Sequence, residues 1–497
     1  MPQITIVGLG PGDAGDLTRD AWQVLQEAGE VWLRTLHHPV VADLPVGLTL
    51  HAFDEVYERA DRFSEVYGEI VGQILRLGGR EQGVVYAVPG HPLVGESTVT
   101  RLLAVAREEG VPVRVVGGLS FVEPALTALE LDALDGLQII DALDLITLNH
   151  PPLNPDQPAL IAQVYSRAVA SEVKLVLMNQ YADEHPTVLI EGAGMQSERL
   201  QHLPLYEIDR HAASALTTLY VAPLDGVTSL EGFQETIAKL RSPEGCPWDR
   251  EQTHATLRTN LLEECYEVLE AIDEGSPEAL CEELGDLLLQ VVLHAQIGVE
   301  DGEFRMTDII SHIDAKLKRR HPHVWAGVDV NGVGDVVANW EAIKQQERAA
   351  KGAAGRSLLD GIPRALPALA QAVAYSDRAA RIGFDRIEGD GVWGDLPETA
   401  AADLARLLAV LEAHPASEAD ATLMGDVLLV VSDWARRQHI DPESALRGAN
   451  QRFALRFSML ETAARERGVP LEDLSPEDIH RLWESHGVSQ RRPDRPS

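Results

Sequence analysis

The pattern of apolar residues changes near residue 225, and this change limits the folds that the chain can adopt. Before it, short runs rich in β-branched residues alternate with segments of helical periodicity, which is typical of an α/β fold. Beyond residue 228 the strand-like runs largely disappear and one helical pattern follows another. We therefore predict an α/β domain over residues 1–225 and an all-α C-terminal half. The predicted strands include ITIVGLG, GVVYAV, VPVRVVGG, VKLVLM and LTTLYVAPL, at residues 4–10, 83–88, 111–118, 173–178 and 216–224.

The helical half contains an internal repeat. GDLLLQVVLHAQ at residues 285–296 returns as GDVLLVVSDWAR at residues 425–436, a shift of 140 residues without a gap. Gly, Ala and Pro accumulate between the two copies, where a boundary is expected. We predict one helical domain over residues 228–350, a second over residues 356–487, and a disordered polar tail at residues 488–497.

The charge of the chain argues against one class of partner. A formal net charge of −36 repels a phosphate backbone, because non-specific nucleic-acid binding relies on Lys and Arg. Polymeric nucleic acid is therefore not expected as a partner. A small phosphorylated substrate is compatible with this charge when a divalent cation reverses the local field.

The N-terminus and the cysteines favour a cytoplasmic protein. MPQITIVGLGPGD has the composition of a first strand and not of a signal peptide, and no apolar run approaches the roughly 20 residues that cross a bilayer. We therefore expect no membrane partner. Cys246, Cys265 and Cys281 are odd in number and lack zinc-site spacing, so we predict small buried side chains.

Four acidic residues recur at helical spacing beside apolar residues. Glu264 and Glu267 are three residues apart, and Glu283 and Asp286 repeat the spacing on the next predicted helix. If the helices form an antiparallel hairpin, the four carboxylates converge beside the core. Each like-charged pair about 5 Å apart then costs about 3 kcal/mol at an effective dielectric of about 20. The flanking residues expected in the core are Leu261, Cys265, Val268, Leu269 and Ile272, followed by Leu284, Leu287, Leu288, Val291 and Val292.

A bound cation would offset this repulsion. All-oxygen donor sets suit Mg²⁺ or Mn²⁺, whereas softer metals favour histidine or cysteine. Two alternatives are that the acids only cover a solvated helix face, or that they form a ferritin-like di-iron site. The di-iron site needs ExxH motifs on facing helices. Glu251 and His254 form one ExxH, but it precedes the helix of interest and has no second copy.

These motifs resemble a known family. EExxE, a spacer and ExxD, preceded by GCPWDREQTHATL and followed by KLKRRHPHVW, are similar to the MazG nucleoside triphosphate pyrophosphohydrolases. The resemblance implies an all-α homodimer that uses Mg²⁺ to hydrolyse a nucleoside triphosphate to the monophosphate and pyrophosphate. It also implies that Glu264, Glu267, Glu283 and Asp286 bind the metal, and that Glu263 beside them orients or activates the water.

Basic residues are needed to hold the phosphates. Lys316 and Arg320 are four residues apart on one helical face, with Arg319 beside them. They are candidates for phosphate binding, the alternative being a basic last turn that complements the helix dipole. Asp314 is a candidate ligand for the metal or its water shell. Trp248 in CPWD either stacks on a base or anchors a core.

The second copy of the repeat lacks most of the acids. A single aspartate cannot hold Mg²⁺, so we predict a degenerate domain that packs and supports dimerisation. Arg452 and Arg456 keep the four-residue basic spacing and leave a residual anion site as an alternative. Under the 140-residue shift, Glu264 becomes Leu404, Glu267 becomes Leu407, Glu283 becomes Leu423, and Asp286 remains acidic as Asp426.

The N-terminal half carries a glycine-rich motif. IVGLGPGDAGDLT places Gly8, Gly10 and Gly12 directly after a predicted strand, where glycine lets the backbone approach a ligand. The spacing is not GxGxxG. Three further segments follow in order: VVYAVPGHPLVGEST, VRVVGGLSFVEPALTALELD and LVLMNQYADEHPTVLIEG.

Together these four segments resemble the S-adenosylmethionine-dependent tetrapyrrole (corrin/porphyrin) methylases over about residues 1–225. The resemblance implies an α/β fold and S-adenosylmethionine as cofactor. His91 stands where many of these methylases carry aspartate in a GDP loop, which changes charge and hydrogen bonding and leaves activity and acceptor open. The implied cofactor pocket comprises Gly8, Gly10, Pro11, Gly12, Pro89, Gly90, His91 and Ser120.

Three hypotheses about function follow. The first is a Mg²⁺-dependent nucleoside triphosphate pyrophosphohydrolase with a methylase-like N-terminal domain. The second is an S-adenosylmethionine-dependent methyltransferase whose helical half is regulatory. The third is a non-catalytic nucleotide sensor or assembly protein. The first is favoured because its residue set is complete.

Overall fold

A computed structural model of the chain describes residues 4–59, 63–350, 357–384 and 418–485. The chain divides into two compact units, residues 1–313 and residues 314–497, with the division inside the helix Met306–Arg320. The boundary between the two helical domains is predicted within residues 348–367, of which residues 351–356 lie outside the described residues. The predicted tail at residues 488–497 also lies outside them, so both stay predictions.

The first part of the chain forms a five-stranded parallel sheet of order β3-β2-β4-β1-β5. Ile4 and Ile6 pack in one apolar cluster and Val7 in another, so both faces of the sheet are covered. This burial explains the continuous apolar runs. The strands are β1 Ile4–Gly8, β2 Glu30–Leu33, β3 Thr49–Ala52, β4 Val84–Val88 and β5 Val113–Val116, and the helices are α1 Arg19–Glu27, α2 Asp54–Arg59, α3 Phe63–Gly78, α4 Ser97–Glu108 and α5 Val122–Leu129.

A second five-stranded sheet has the order β6-β7-β10-β8-β9. It is mixed: β6 and β7 are parallel, and the other pairs are antiparallel. An extensive apolar cluster joins it to helix α7. Its elements are β6 Gln138–Asp141, α6 Ala142–Leu145, β7 Ala159–Ala162, α7 Arg167–Leu177, β8 Pro186–Glu191, β9 Arg199–Pro204 and β10 Thr217–Val221.

The strand predicted for VKLVLM is wrong, because residues 173–177 form the second half of α7. The Ser166 hydroxyl caps this helix and accepts from the Val169 amide at 3.2 Å. Val169, Val173 and Val176 recur at helical spacing and are buried. The β-branched composition favours a strand locally, but burial of one helical face outweighs that propensity.

The remaining described residues form helices and their connections, which confirms the predicted fold class of an α/β half followed by an all-α half. Both copies of the repeat are helical: residues 285–296 lie in the helix Pro277–Glu300, and residues 425–436 lie in the helix Glu418–Arg437. The helices are α8 Leu230–Arg241, α9 Pro247–Glu251, α10 Arg258–Glu274, α11 Pro277–Glu300, α12 Met306–Arg320, α13 Pro322–Trp325, α14 Val333–Ala350, α15 Ala368–Ala380, α16 Glu418–Arg437, α17 Pro442–Glu466 and α18 Pro476–Ser485.

Helices α10 and α11 form a tight antiparallel hairpin. Gly275 ends α10 with a left-handed φ of +69°, a conformation that glycine adopts without strain. Ser276 caps α11, its hydroxyl accepting from the Ala279 amide at 3.2 Å, and Pro277 takes the first helical position. The connection is therefore two residues long, which sets the end of α10 beside the start of α11.

The apolar stripes of this hairpin are only partly buried, which corrects the predicted core. Helix α8 packs through Ile237 against the second half of α11, where Val292 is buried. Toward the connection, Leu269, Ile272 and Leu284 are 43%, 54% and 48% exposed. The core therefore occupies the open end of the hairpin, and the end that carries the acids presents apolar side chains to solvent.

The prediction of buried cysteines is also wrong in part. Cys265 on α10 and Cys281 on α11 are exposed, and Cys246 is half-buried. The two exposed thiols lie on the uncovered part of the hairpin. All three are free thiols.

One carboxylate attaches helix α8 to the second sheet region. Asp156 accepts hydrogen bonds from the amides of Thr228 and Ser229, at 2.8 and 3.1 Å, and from both hydroxyls. Ser229 in turn caps α8 by accepting from the Gly232 amide at 2.9 Å. Desolvation raises the pKa of Asp156, but the hydrogen bonds from Ser229 and Thr228 outweigh it and hold this pKa at about 2.

Replacing Asp156 tests this junction. Asp156→Ala is expected to lower the free energy of unfolding by about 1–2 kcal/mol, because four donors lose their acceptor. The contribution is present above pH 3.8, the ordinary value of the carboxyl, and is lost as the pH falls toward about 2. Thermal unfolding and amide exchange in the first turn of α8 measure it. Asp225→Ala, at an exposed neighbour, should change stability by less than about 0.5 kcal/mol, and an Asp156 variant as stable as this control would contradict the assignment.

Candidate active site

Three carboxylates meet on the α10–α11 hairpin. Glu264 and Glu267 extend from α10 and Glu283 from α11, and one oxygen of each lies within 4.8 Å of the others. The spacing of three residues puts the first two on one helical face, and the antiparallel connection brings the third opposite them. Glu264 and Glu283 are half-buried and Glu267 is exposed. The two-residue connection thus brings Glu283 close to Glu264 and Glu267.

Repulsion within the cluster shifts its protonation. Desolvation, a hydrogen bond with Glu267 and the charges of Glu267 and Asp286 raise the pKa of Glu264. Desolvation and the same two charges raise the pKa of Glu283. Asp286 lies outside the 4.8 Å group, yet its charge acts on both residues. The carboxylates therefore favour an added positive charge, whether a proton or a metal ion.

The donor set fits a hard divalent cation. Carboxylates supply only oxygen, which Mg²⁺ and Mn²⁺ prefer. Oxygens bound to one Mg²⁺ at about 2.1 Å lie about 3–4 Å apart, so small side-chain rotations suffice from the observed spacing. Glu264, Glu267 and Glu283 would hold the ion, with Asp286 adjacent. The di-iron alternative loses support, because His254 pairs with His294 and not with an acid.

Sequence reasoning missed two features beside this cluster. Gln290 is 4% exposed, and its Nε2 donates to Glu264 Oε1 at 3.4 Å. His254 and His294 share a hydrogen bond between their Nδ1 atoms at 2.7 Å. Burial and the charge of His254 lower the pKa of His294, which favours a neutral ring. The available signal was the recurrence of polar residues every fourth position, from Asp286 to Gln290 to His294, in the otherwise apolar stretch of residues 284–295.

Two further predicted residues are exposed. Glu263 is exposed on α10, next to Glu264. Trp248, in α9, is 57% exposed. An indole exposed to this degree does not anchor a core, so a stacking surface is the interpretation that remains for Trp248.

The basic residues of the second unit are partly neutralised. Arg319 Nε lies 2.7 Å from Glu347 Oε1, and Arg320 Nη2 lies 2.6 Å from Glu347 Oε2. The hydrogen bonds from Arg320 and Arg319 lower the pKa of Glu347 to about 2. Glu347 belongs to α14, so two of the three predicted phosphate binders join α12 to the next long helix.

The other two predicted residues of α12 are solvent-exposed. Asp314 forms an ion pair with Lys318 at 2.9 Å, one helical turn away. Lys316 is exposed, and within the described parts of the chain no acid pairs with it. Of the three basic candidates, Lys316 is therefore the side chain whose charge is not taken up by an ion pair of the described residues.

Described residues of the second copy pack against one another at the positions predicted to bind metal or anions. Leu423 packs against the buried pair Val427 and Val430, while Leu404 and Leu407 lie outside the described residues. Arg456 places its guanidinium 4.1 Å from the centre of the Trp483 ring and donates from Nε to the Trp483 carbonyl at 3.0 Å. Arg456 thus joins α17 to α18, which argues against a residual anion site there.

In the N-terminal domain, three loops meet at the carboxyl edge of the parallel sheet. The strands that precede them, β1, β4 and β5, are neighbours. A Cβ on Gly8 would lie 2.6 Å from both the Gly90 carbonyl oxygen and the Gly118 amide. Gly10 and Gly90 exchange backbone hydrogen bonds of 3.3 and 2.7 Å, with φ values of +79° and +66°. These glycines allow the loops to pack against one another.

The remaining predicted cofactor residues lie on the same loops. His91 accepts from the Leu93 amide through Nδ1 at 3.1 Å. Ser120 is buried, and its amide and hydroxyl donate to Glu123 at 2.8 and 2.6 Å. Both donors of Ser120 are thus used in hydrogen bonds to Glu123 at the start of α5. The others are Pro11, Gly12 and Pro89.

A buried ion pair in this domain was not predicted. Arg34 follows β2, and its Nη1 lies 2.7 Å from Glu96 Oε2, whose side chain is 2% exposed. The Tyr57 hydroxyl accepts from Arg34 Nε at 3.0 Å. The two charged residues are 62 positions apart, and no motif links them, so only the fold reveals the pair.

Comparison with known proteins confirms the family resemblance of each half of the chain. Residues 3–209 match the family model of the Tetrapyrrole (Corrin/Porphyrin) Methylases, and residues 252–325 match that of the MazG nucleotide pyrophosphohydrolase domain. The chain therefore belongs to the family of proteins that join a tetrapyrrole methylase domain to a MazG domain. A full-length relative is the uncharacterized protein YabN of Bacillus subtilis, 40% identical over 496 residues and 99% of each chain.

Two relatives match about half of the chain. The nucleoside triphosphate pyrophosphohydrolase/pyrophosphatase MazG of Thermotoga maritima is 41% identical over 51% of this chain and 94% of its own length. The nucleoside triphosphate pyrophosphohydrolase of Escherichia coli K12 is 41% identical over 50% of this chain and 92% of its own. Among the helices described, none is long and apolar enough to cross a membrane.

The repulsion in the cluster can be tested without substrate. Glu267→Gln is expected to stabilise the metal-free protein, by about 0.2–0.5 kcal/mol for the like-charged pair of Glu264 and Glu267, which are three residues apart on one helix. Millimolar Mg²⁺ should raise the thermal midpoint of the unsubstituted protein by mass action and should raise that of the variant less. Thermal unfolding with EDTA and with Mg²⁺ measures both effects. Glu274→Gln, at the exposed end of α10, should keep the full Mg²⁺ effect, and equal Mg²⁺ shifts in all three proteins would contradict the metal site.

Proposed function

We propose that the protein is a Mg²⁺-dependent nucleoside triphosphate pyrophosphohydrolase, which converts an NTP or dNTP and water to the monophosphate and pyrophosphate. The observation that carries this proposal is the meeting of Glu264, Glu267 and Glu283 within 4.8 Å on one hairpin. The MazG domain at residues 252–325 and the named activities of its relatives support it.

The reaction adds water across the α–β phosphoanhydride. A bond forms between the water oxygen and the α-phosphorus, and the bond from that phosphorus to the bridging oxygen breaks. Pyrophosphate leaves with the bridging oxygen, and the proton lost by the water passes to the solvent. A bound divalent ion would neutralise phosphate oxygens and lower the pKa of a water molecule bound to it. Glu264, Glu267 and Glu283 would hold the ion with Asp286 beside them, and Glu263 is assigned to orient the attacking water.

The remaining substrate contacts are assigned by charge and exposure. Lys316 is the first candidate for the phosphate tail, because its charge is not committed to an ion pair within the described residues. Arg319 and Arg320 can bind phosphate only if their ion pairs with Glu347 break. Asp314 can assist the metal only if its ion pair with Lys318 breaks. Trp248 offers an exposed indole for base stacking.

A homodimer is part of the proposal. The uncovered apolar residues beside the connection of the hairpin, Leu269, Ile272 and Leu284 among them, would be buried against a second copy. The degenerate second domain is assigned to packing and assembly. Its described residues keep buried apolar side chains, whereas only one of the four acids has an acidic counterpart in its sequence.

A nucleotide panel tests the activity. With Mg²⁺, the full chain should release pyrophosphate and a monophosphate from NTPs or dNTPs, and Glu267→Ala combined with Asp286→Ala should reduce kcat by about 100-fold or more, because two assigned ligands are lost. Ion chromatography of the products and a coupled pyrophosphate assay measure it. Turnover at the unsubstituted rate in the double variant would refute the assigned site, and robust turnover of any nucleotide would dispose of the non-catalytic sensor hypothesis.

A second activity is favoured by the convergence of the glycine loops. The N-terminal domain matches the methylase family, and three backbones meet at the sheet edge where open α/β sheets bind ligands. We propose S-adenosylmethionine as its ligand. The sulfonium methyl group would be the transferable one.

Calorimetry tests that ligand. Titration of the full chain with S-adenosylmethionine or S-adenosylhomocysteine is expected to give saturable heat. Gly90→Val should weaken binding by about tenfold or more, because a β-branched residue at φ +66° strains the loop. Gly47→Val is a matched control at another positive-φ glycine, with open space around it. No heat with either ligand would count against the methyltransferase hypothesis.

A further inference from the structure

Gln290 is a polar side chain in an otherwise apolar part of α11. Its neighbours Leu289, Val292 and Leu293 belong to the hairpin core, and Gln290 itself is 4% exposed. Burying an amide is unfavourable unless its donor and its acceptor both find partners. Packing alone therefore does not explain a glutamine at this position.

The amide of Gln290 faces the carboxylate cluster. Its Nε2 donates to Glu264 Oε1 at 3.4 Å, from the opposite helix of the hairpin. Its Oε1 is buried and has no hydrogen-bond partner among the residues that the structure describes. One end of the amide is thus engaged with a carboxylate of the cluster, and the other end is an open acceptor beside it.

The internal repeat supplies a comparison within the same chain. Under the 140-residue shift, Gln290 corresponds to Val430 on α16, which is 3% exposed and packs against Val427. A valine therefore meets the packing requirement of this helix position. In that copy three of the four acids are replaced by leucine. The second copy therefore lacks both the carboxylate cluster and the glutamine.

We propose that Gln290 is a positioning residue of the carboxylate cluster. Its Nε2 fixes the orientation of the Glu264 carboxylate toward the divalent ion, and its buried Oε1 accepts a hydrogen bond from a water molecule. The inference rests on the proposed function for the identity of the ion. It adds a residue outside the EExxE and ExxD motifs to the site.

Two substitutions in the full-length protein separate positioning from packing. Gln290→Val introduces the residue of the second copy, and Gln290→Met keeps the length of the side chain without its polar atoms. Both are expected to weaken Mn²⁺ binding by about 10–100-fold, measured from the paramagnetic resonance signal of free Mn²⁺. The thermal midpoint in EDTA should be equal to or above that of the unsubstituted protein, and kcat should fall more than KM changes.

Val430→Gln is the matched control. It places a buried amide at the equivalent position without acids, so it should lower the metal-free midpoint and leave Mn²⁺ affinity unchanged. Unchanged Mn²⁺ affinity in both Gln290 variants would overturn the proposal, whether or not their metal-free midpoints are lowered. If Gln290→Val unfolds, the methionine variant decides.

The outcome for Gln290 can be distinguished from that for the proposed reaction. If the unsubstituted protein binds Mn²⁺ but hydrolyses no nucleotide, the proposed reaction fails, and the affinity ratio still supports or overturns positioning. If the unsubstituted protein binds no Mn²⁺, the positioning proposal is overturned together with the metal site.

Discussion

Repulsion between carboxylates is the constraint on which the chemistry of the helical half depends. Glu264, Glu267 and Glu283 stay within 4.8 Å of one another because two helices are joined by only two residues. The hairpin core at its open end, which includes Val292, holds the helices together against this repulsion. A cluster that is unfavourable when empty of positive charge gains affinity for a cation, since binding relieves the repulsion.

The methylase-like domain achieves proximity by a different physical means. At its sheet edge, loops approach because side chains are missing: Gly8, Gly90 and Gly118 leave no Cβ between three backbones. The same glycines are the signature by which the sequence resembles a cofactor-binding family. Their packing role is sufficient to require glycine, so a glycine motif of this kind supports the fold by itself.

The duplicated helical segment separates packing from chemistry within one chain. Val427 and Val430 keep the buried apolar face of the second copy, while the equivalents of three acids are leucine. Arg456, which the basic spacing marks as an anion binder, packs on Trp483 instead. Helical periodicity therefore persists where the acids are replaced, because apolar burial stabilises the fold and the acids do not.

By itself the sequence determined the change from α/β to all-α structure, the glycine-rich loops and the spacing of the acids, because these depend on neighbours along the chain. It also misassigned VKLVLM, where β-branched residues line a buried helical face. Only the tertiary structure decided that Gln290 contacts Glu264, that Arg34 pairs with Glu96, and that the acid-bearing end of the hairpin is uncovered. Those contacts join residues distant in sequence, and their geometry depends on how whole helices and sheets pack, which no local pattern encodes.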